Sequence, residues 1–504
     1  MSEGKVYLVG AGPGDPGLIT VRGRDLVATA DAIVYDALAN PALLPSDARV
    51  AGRPELYFVG KRGGAKESAS QEEINSLLVK LAREGKRVVR LKGGDPLVFG
   101  RGSEEAQACN DAIVDFEIVP GVTAGIAAAA YAGIPVTHRG LAASVTFVTG
   151  HEDPTKPAAQ TDWRALAKVG GTIVIYMGVK TLPRISEALI DAGMPAEIPA
   201  AAIQWGTHPK QKTCVATLGT LAAKAEEQGI TAPVITVIGW SVVLRDEISW
   251  FEKRPLFGRR IVVTRSAQQA GILSEKLRDL GADVLEMPAT EIERLDLAPL
   301  RAAVERVDGF AWLVFTSQNA VAIFWELLLA SGRDARALAG AKIAAVGPAT
   351  AGALLEHGIV VDVIPERFVA EALLESLRAR NDVTGRTVLY VTAEGARDVL
   401  PAGLAEMGAH LVLIEAYTSR PSASGANRLS RAIEAGKVSL VTFTSASSVK
   451  GYVEAVGPTL AQRSPGASIG PQTSAAMREA GIEVRYEAKE STIDGLVASV
   501  LDVR

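Results

Sequence analysis

The sequence has few of the residues that build disulfide-bonded or metal-bound proteins. Among its 504 residues are two cysteines, Cys109 and Cys214, and five histidines that lie far apart along the chain. Two cysteines exclude a disulfide framework and a cysteine-rich zinc site, and the scattered histidines argue against a metal site built from histidine. We therefore expect a protein of a reducing compartment that binds no metal.

An excess of charge of one sign is also missing. The chain has 53 Lys and Arg against 57 Asp and Glu, a formal net charge of −4, so no overall field attracts nucleic acid or an anionic membrane. The longest stretch of small apolar residues, 124–136, is too short to span a bilayer. The segment MSEGKVYLVGAG at the start lacks the pattern of a secretion signal. These absences predict a soluble cytoplasmic protein without nucleic-acid or membrane partners.

Short apolar segments alternate with helical stretches along the chain. This pattern is typical of an α/β protein with mostly parallel strand pairing. A chain of 504 residues should hold at least two domains, and the segment 252–265, which contains Pro, Gly and several basic residues, marks the expected seam. The apolar segments before it are VYLVG (6–10), AIVYD (32–36), RVVRL (87–91), TIVIYM (172–177) and VITVIG (234–239).

An internal repeat follows the seam. Each copy contains an FTS turn and a G-P-x-T turn, and each turn lies at the end of a predicted strand. Repetition at a fixed order is the mark of duplicated structural units, so we expect two similar α/β lobes in the second half. The similar pairs are 259–284 with 386–411, 312–321 with 440–449, and 344–359 with 467–482.

A glycine-rich loop follows the first predicted strand. The segment VGAGPGDPGLIT (9–20) is similar to the dinucleotide-binding fingerprint, and Asp36 ends the next strand, where a ribose-binding acid would lie. The fingerprint fails because its third glycine position holds Asp15, and Pro13 and Pro16 disturb the helix start that would receive a pyrophosphate. From this loop alone, a nicotinamide dehydrogenase, another nucleotide-type site and a plain structural turn all stay open.

Two more glycine-rich loops occupy equivalent positions. Residues 89–105 place Gly93-Gly94-Asp95-Pro96 after a strand, and residues 119–139 place Pro120-Gly121 where another strand should end. Ligands of α/β folds bind beyond the carboxyl ends of strands, and glycine lets backbone groups approach a ligand closely. Three such loops predict backbone packed around one extended ligand.

Further motifs of the first half accompany these loops: GAGPGDPGLIT (10–20), VYDAL (34–38), FVGKRGG (58–64), RLKGGDPLVFGRGSEE (90–105), PGVTAGIAAAAYAGIPVTHR (120–139), VTGH (148–151), IYMG (175–178) and WGTHPKQKT (205–213). Over about residues 5–250 the chain thereby resembles the tetrapyrrole (corrin/porphyrin) methylase family, and uroporphyrinogen-III C-methyltransferases in particular. The resemblance implies two α/β subdomains that bind S-adenosylmethionine in the cleft between them, a tetrapyrrole substrate, and a homodimer formed through this half.

The resemblance also assigns roles to individual residues. Asp36 matches the proposed proton acceptor and Lys61 the proton donor; on their own, they would be a helix cap and a solvated charge. Arg101 and Arg139 are candidates for binding the substrate carboxylates, which arginine can pair in a bidentate way. The residues expected to bind the cofactor are Pro13, Gly93, Gly94, Asp95, Val98, Thr123, Ala124, Met177 and Gly206.

The second half contains no nucleophile–base pair, no metal-ligand set and no phosphate loop. It carries hydroxyl side chains at predicted strand ends, which either cap helices or line a cleft that binds carboxylates. These residues are Thr264, Thr316, Ser317, Thr350, Thr444, Ser445 and Thr473.

Seven segments of this half occur in a characteristic order: RRIVVTR (259–265), WLVFTSQNAV (312–321), AAVGPAT (344–350), EAYTSRP (415–421), VTFTSASSV (441–449), IGPQT (469–473) and STIDGLV (491–497). In these segments the second half resembles the uroporphyrinogen-III synthase family, which implies two α/β lobes, one of residues 259–292 with 420–504 and the other of residues 293–417. Tyr417 matches a tyrosine thought to assist departure of the substrate hydroxyl. The positions expected near the cleft are Arg265, Ser317, Thr350 and Thr473.

Together the resemblances imply a bifunctional enzyme. Residues 259–504 would cyclise hydroxymethylbilane to uroporphyrinogen III without a cofactor. Residues 1–252 would methylate that product twice to precorrin-2, and residues 253–258 would link the halves. An alternative is a methylase of a later corrin intermediate fused to a two-lobed, non-catalytic tetrapyrrole-binding module. Whether the product serves sirohaem or cobalamin stays open.

Overall fold

The computed structural model describes residues 4–45, 54–60, 69–151, 161–264, 267–287, 290–367, 369–396, 398–421 and 426–501. These residues form four five-stranded sheets with helices packed against them, which confirms the predicted α/β class. By their internal contacts the residues divide into two compact units, Met1–Ile261 with Glu275–Val284, and Val262–Ser274 with Leu285–Arg504.

The first sheet is entirely parallel, with strand order β3-β2-β4-β1-β5. Its two faces pack against separate apolar clusters, as expected for a parallel sheet covered on both sides. The elements are β1 (Lys5–Gly10), α1 (Val21–Ala28), β2 (Ala32–Tyr35), β3 (Glu55–Phe58), α2 (Gln71–Arg83), β4 (Arg87–Lys92), α3 (Gly102–Asp111) and β5 (Asp115–Val119).

The second sheet has the order β6-β7-β10-β8-β9 and is mostly antiparallel. The mostly parallel pairing that the sequence predicts does not hold in this sheet. Both β7 and β10 are buried on both faces, and the continuous apolar run of such a strand does not reveal the direction of its neighbours. The elements are α4 (Ala124–Tyr131), β6 (Val145–Thr149), α5 (Trp163–Val169), β7 (Thr172–Tyr176), α6 (Leu182–Asp191), β8 (Pro199–Gln204), β9 (Lys212–Thr217), α7 (Leu221–Glu227), β10 (Val234–Ile238) and α8 (Arg245–Ile248).

The remaining strands form two sheets, with orders β12-β11-β18-β19-β20 and β13-β17-β16-β14-β15. Their elements, in chain order, are β11 (Arg260–Val263), α9 (Ala267–Asp279), β12 (Asp283–Glu286), β13 (Thr290–Arg294), α10 (Ala298–Glu305), β14 (Trp312–Phe315), α11 (Gln318–Ala330), β15 (Lys342–Ala345), α12 (Pro348–Leu355), α13 (Ala370–Arg380), β16 (Thr387–Ala393), α14 (Val399–Glu406), β17 (His410–Pro421), α15 (Ala426–Glu434), β18 (Leu440–Phe443), α16 (Ala446–Val456), α17 (Pro458–Ala461), β19 (Gly466–Ser468), α18 (Pro471–Glu479), β20 (Val484–Glu487) and α19 (Ile493–Leu501).

The predicted repeat is present as repeated local structure in these two sheets. Ser317 follows β14 and Ser445 follows β18, and each serine hydroxyl accepts a backbone N–H bond that caps the next helix. Gly347 and Gly470 occupy the corresponding caps of α12 and α18, where proline takes the first helical turn. The strand–turn–helix units of the repeat are therefore confirmed.

The three glycine loops of the first half contact one another backbone to backbone. The amide of Gly94 donates to the carbonyl of Gly12 at 2.7 Å, and the amide of Gly121 donates to the Asp95 carboxylate at 3.0 Å. A Cβ built on Gly10 would lie 2.5 Å from the Gly121 Cα, and one built on Gly121 would lie 2.3 Å from the Gly94 carbonyl oxygen. Only glycine fits at these contacts without movement of the backbone.

We expect Gly121→Ala to lower the free energy of unfolding of the first half by about 1–3 kcal/mol, because the added methyl group meets backbone that cannot rotate away. Scanning calorimetry of the whole chain measures this. Gly340→Ala is the control, since a Cβ there meets nothing within 4 Å. Equal unfolding of Gly121→Ala and the wild-type protein would contradict the close packing.

Candidate active site

The residues expected to bind the cofactor lie on loops that contact one another. A Cβ built on Gly94 would lie 3.7 Å from the Ala124 amide nitrogen and 3.9 Å from the Thr123 Cα, so the GGDP loop touches the start of α4. Val98 and Ala124 pack against the same apolar cluster. The second and third glycine loops therefore form one continuous surface at the carboxyl edge of the first sheet.

Tyr176 joins this surface to the turn that follows β7. Its hydroxyl lies 2.7 Å from the Thr123 Oγ1 and accepts a hydrogen bond from the Gly125 amide, also at 2.7 Å. Burial raises the pKa of Tyr176, so the phenol keeps its proton. The next residue, Met177, has a φ of 54° and a side chain that is 54% exposed. Sequence reasoning missed Tyr176, although it stands directly before Met177 in the IYMG motif.

Asp15 joins the first loop to the turn that contains Gly206. Its amide donates to the Thr207 Oγ1 at 3.0 Å, and its carboxylate accepts a hydrogen bond from the Tyr131 hydroxyl at 2.7 Å. Burial lowers the pKa of the neighbouring His208 to about 4, so this imidazole is neutral at pH 7. Asp15, which breaks the dinucleotide fingerprint, thus joins the loop that contains Pro13 to the turn that contains Gly206 through its backbone amide and the Thr207 hydroxyl.

Backbone strain is concentrated on the same loops. Among the described residues, seven that are not glycine have a positive φ, and such conformations cluster at functional sites. Ile113 and Asn381 lie at helix ends. The other five are Phe99, Arg101, Met177, Trp205 and Thr207, all on the loops that carry the expected cofactor residues.

Asp36 lies one residue beyond β2, beside the GGDP loop. Its Oδ1 accepts the Leu38 amide at 3.0 Å and its Oδ2 accepts the Arg90 guanidinium at 3.4 Å. A Cβ built on Gly93 would lie 2.6 Å from the Leu38 Cβ, which places the Asp36 turn against that loop. Lys61, the expected proton donor, lies outside the described residues.

Three buried charged residues form a network that reaches Asp36 through Arg90. Arg90 and Lys92 on β4 each donate to Oε1 of Glu105 on α3, at 3.0 and 2.8 Å. Burial, and then the charge of Arg90, lower the pKa of Lys92. Sequence reasoning treated Glu105 as part of a helix start and did not single out Arg90 or Lys92. The available signal was a strand, RVVRLK, whose carboxyl end is basic.

Arg101 and Arg139, the candidates for substrate binding, are both exposed. Arg101 makes a bidentate ion pair with Glu104, with nitrogen–oxygen distances of 2.8 and 2.7 Å. The hydrogen bonds from Arg101 lower the pKa of Glu104. Arg101 would therefore have to share or exchange this partner to bind a substrate carboxylate.

In the second half, the structure brings Tyr417 and Ser317 together. Their hydroxyl oxygens lie 2.8 Å apart, and either can be the donor. Ser317 caps α11, and Tyr417 lies on β17 at a bulge, where Thr392 pairs with Glu415 but the next residue pairs with Tyr417. The bulge lets two successive residues, Ala416 and Tyr417, pack into the same core.

The other positions expected near this cleft are more scattered. Thr350 and Thr473 are buried in the first turns of α12 and α18, which follow strands of two different sheets. Arg265 lies outside the described residues. Of these positions, the structure joins Ser317 to Tyr417 by a hydrogen bond.

Within the described ranges, no group of three or more His, Cys, Asp or Glu side chains is arranged to hold a metal ion. The search of the described helices for a span that could cross a membrane found none.

Comparison with known proteins matches two families to separate parts of the chain. The model of the tetrapyrrole (corrin/porphyrin) methylases matches residues 5–222, and that of uroporphyrinogen-III synthase HemD matches residues 272–498. A porphyrin biosynthesis protein HemD of Ruminiclostridium josui is 38% identical over 507 residues, which cover 100% of this chain and 99% of that protein.

Two further similarities concern the first half. An S-adenosyl-L-methionine-dependent uroporphyrinogen III methyltransferase of Methanosarcina barkeri is 53% identical over 243 residues, 48% of this chain and 94% of that protein. The crystal structure of a uroporphyrin-III C-methyl transferase from Thermus thermophilus, complexed with S-adenyl homocysteine, is 36% identical with a TM-score of 0.40 and covers 48% of this chain and 99% of that one. Since the Ruminiclostridium relative is similar over its whole length, the chain belongs to the family in which a tetrapyrrole methylase is fused to a uroporphyrinogen-III synthase.

Proposed function

We propose that this bifunctional enzyme of tetrapyrrole biosynthesis makes uroporphyrinogen III from hydroxymethylbilane in residues 259–504 and methylates it twice, to precorrin-2, in residues 1–252. The observation that carries the methylase assignment is the meeting of three glycine loops beside the Asp36 carboxylate. The family similarity of both halves supports consecutive reactions on one substrate.

The residues around the glycine loops fit S-adenosylmethionine. They offer the backbone N–H and C=O groups of Gly93, and the nine expected positions include the Asp95 carboxylate but no basic side chain. Such a surface suits a ligand that itself carries a positive sulfonium and pairs with the main chain through its adenine and amino-acid groups. When bound, S-adenosylmethionine supplies an electrophilic methyl group.

The protein has two tasks in the methylation half. Its loops hold the reacting ring carbon in line with the methyl group, and this orientation supplies a large part of the rate. Methylation leaves this ring carbon quaternary, so the proton that balances the transfer leaves from another atom of the tetrapyrrole, a pyrrole nitrogen or a bridging carbon, and the Asp36 carboxylate accepts it. The resemblance assigns the complementary proton donation to Lys61. Arg101 and Arg139 bind carboxylates of the tetrapyrrole.

The synthase half closes a flexible chain into a ring, with loss of water and inversion of the fourth pyrrole ring. Tyr417 donates its proton to the departing hydroxyl, and Ser317 donates to the tyrosine oxygen, since the two hydroxyls are within hydrogen-bond distance. Orientation of a flexible substrate supplies the rest of the rate, so this half needs no cofactor. Arg265, Thr350 and Thr473 line the cleft in this proposal.

The assembly and location of the enzyme complete the proposal. Residues 253–258 link the halves, and the synthase lobes comprise residues 259–292 with 420–504, and residues 293–417. The resemblance supports a homodimer formed through the first half. The two cysteines, which are buried and free of disulfides, support a reducing cytoplasm.

We expect the whole chain, supplied with fresh hydroxymethylbilane and labelled S-adenosylmethionine, to give a dimethylated type III product. Mass spectrometry and isomer analysis by chromatography measure it. Formation of the type I isomer alone would show that the second half is a non-catalytic binding module. Methylation of a later precorrin, with none of uroporphyrinogen III, would show that the first half acts elsewhere in the pathway.

We expect Asp36→Asn to reduce methyl transfer by about 100-fold, because the amide cannot accept the proton but keeps an oxygen for the Leu38 amide. The rate of uroporphyrinogen III methylation is measured alongside binding of S-adenosylhomocysteine, which should not change. Asp31→Asn is the matched control, since the Asp31 carboxylate also accepts a backbone amide, that of Arg87, but lies at the opposite end of β2. Similar rates in the two variants would exclude Asp36 as the proton acceptor.

We expect Tyr417→Phe to reduce type III ring closure by about 100-fold, because it removes the donor while the ring still fills the core. Ser317→Ala should have a smaller effect, since the tyrosine keeps its own proton. Tyr452→Phe is the control: Tyr452 is buried in the same half, and among the described residues its hydroxyl has no hydrogen-bond partner. Wild-type activity of Tyr417→Phe would refute the role.

A further inference from the structure

The carboxyl end of β4 carries charges in a place that is otherwise apolar. Alternate residues of a strand lie on the same face, so one face of β4 carries Val88, Arg90 and Lys92. Val88 belongs to the apolar cluster between the first sheet and helices α2 and α3. Arg90 is 3% exposed, Lys92 4% and Glu105 0%. The face thus changes from apolar to ionic at the edge where the glycine loops meet.

Arg90 is held in one orientation by partners on three elements. Its Nε donates to Glu105 on α3 at 3.0 Å, and one terminal nitrogen donates to the carbonyls of Val34 at 3.4 Å and Leu91 at 3.1 Å. The other terminal nitrogen donates to the Asp36 carboxylate at 3.4 Å. Because the guanidinium is planar and rigid, these three hydrogen bonds at two of its nitrogens also fix the direction of the bond from the third nitrogen to Asp36.

Stability does not explain this arrangement. Replacing a buried ion pair by apolar side chains is often neutral or stabilising, because desolvation of the charges offsets their attraction. The same position could be filled by residues like Val88. The network lies at the carboxyl edge of the sheet, where α/β proteins bind ligands, so its role is to be sought at that edge.

The net charge of these three residues needs a negative partner, and Asp36 is in contact with them through Arg90. Arg90, Lys92 and Glu105 together carry one net positive charge, which the Asp36 carboxylate balances. The other described charged groups nearby have partners of their own: Asp95 accepts the amides of Leu97 and Gly121, and Glu104 pairs with Arg101. Lys61 and Arg62 of the adjoining segment lie outside the described residues.

We propose that Arg90, Lys92 and Glu105 are positioning residues for Asp36: Arg90 aims the carboxylate at the substrate, Glu105 fixes Arg90, and Lys92 balances Glu105. The proposal rests on the role of Asp36 as proton acceptor. None of the three residues touches the reacting atoms. They act by balancing the charge of the Asp36 carboxylate and holding it in one direction before the proton is transferred.

The charge balance gives opposite predictions for two variants. Methyl transfer needs the Asp36 carboxylate as proton acceptor, so kcat/KM falls toward low pH in an acid limb. Lys92→Met removes a positive neighbour of the Asp36 carboxylate and moves the acid limb of the kcat/KM profile to higher pH by about 0.5–1 unit. Glu105→Gln removes a negative neighbour and moves the limb to lower pH. If Lys92 and Glu105 were merely structural, the two variants would not move the acid limb in opposite directions.

The double variant Lys92→Met/Glu105→Gln tests the balance directly. It leaves one net positive charge facing Asp36, so its acid limb should return to within about 0.3 pH unit of the wild-type position. It also keeps the test informative if Glu105→Gln alone, with one buried positive charge left uncompensated, does not fold. Lys86→Met and Glu84→Gln are the matched controls, since this ion pair lies at the opposite end of β4, and they should leave the limb in place.

The profiles are measured on the full chain with uroporphyrinogen III, together with binding of S-adenosylhomocysteine. Acid limbs of Lys92→Met and Glu105→Gln that move in the same direction, or that do not move, would overturn the network proposal while Asp36→Asn still reduces methyl transfer about 100-fold. If Asp36→Asn retains wild-type activity, the role of Asp36 fails instead, so the two failures are distinguishable.

Discussion

Backbone contact among Gly10, Gly94 and Gly121 is the constraint on which the first half depends. Side chains at Gly10 or Gly121 would hold the loops apart, because added Cβ atoms would lie within 2.7 Å of backbone atoms of the neighbouring loops. Gly94 is required for another reason, since its φ of 71° is a conformation that glycine adopts without strain. With glycine, the loops hydrogen-bond directly to one another, and their free backbone groups form one surface. The expected cofactor residues follow from this contact, since each lies on one of these loops or on a turn bonded to them.

The sequence predicted the parts of this site whose cause is local. A glycine after a strand, a serine before a helix and an apolar run each have an energetic preference that does not depend on the rest of the fold, so the strands, the caps at Ser317 and Ser445 and the glycine loops were predictable. The antiparallel pairing of β10 was not, because its neighbours are chosen by the whole chain. The same holds for the bulge at Ala416, which only pairing with β16 reveals.

The network around Asp36 was hidden for a different reason. A basic residue in a strand is ordinarily a sign of an exposed edge, and Glu105 resembled an acidic residue that complements a helix start. Burial reverses both interpretations, because charges that leave water must find opposite charges close by. Arg90 and Lys92 reach Oε1 of Glu105 only when β4 and α3 pack together. Their meaning therefore depends on tertiary structure that no short motif encodes.

The polar groups of each half suit the substrate that its proposed reaction must bind. Methyl transfer brings two molecules together and moves a proton, which favours a rigid backbone surface and a carboxylate fixed by buried charges. Ring closure acts on one flexible molecule. There the prominent groups are hydroxyls such as that of Ser317, which caps α11, and that of Tyr417, to which Ser317 is hydrogen-bonded. A hydroxyl can donate or accept a hydrogen bond and carries no net charge. It can therefore bond a substrate in more than one orientation without adding to the strong charge of the substrate carboxylates. The absence of an acid–base dyad in the second-half sequence is then a consequence of the chemistry proposed for it.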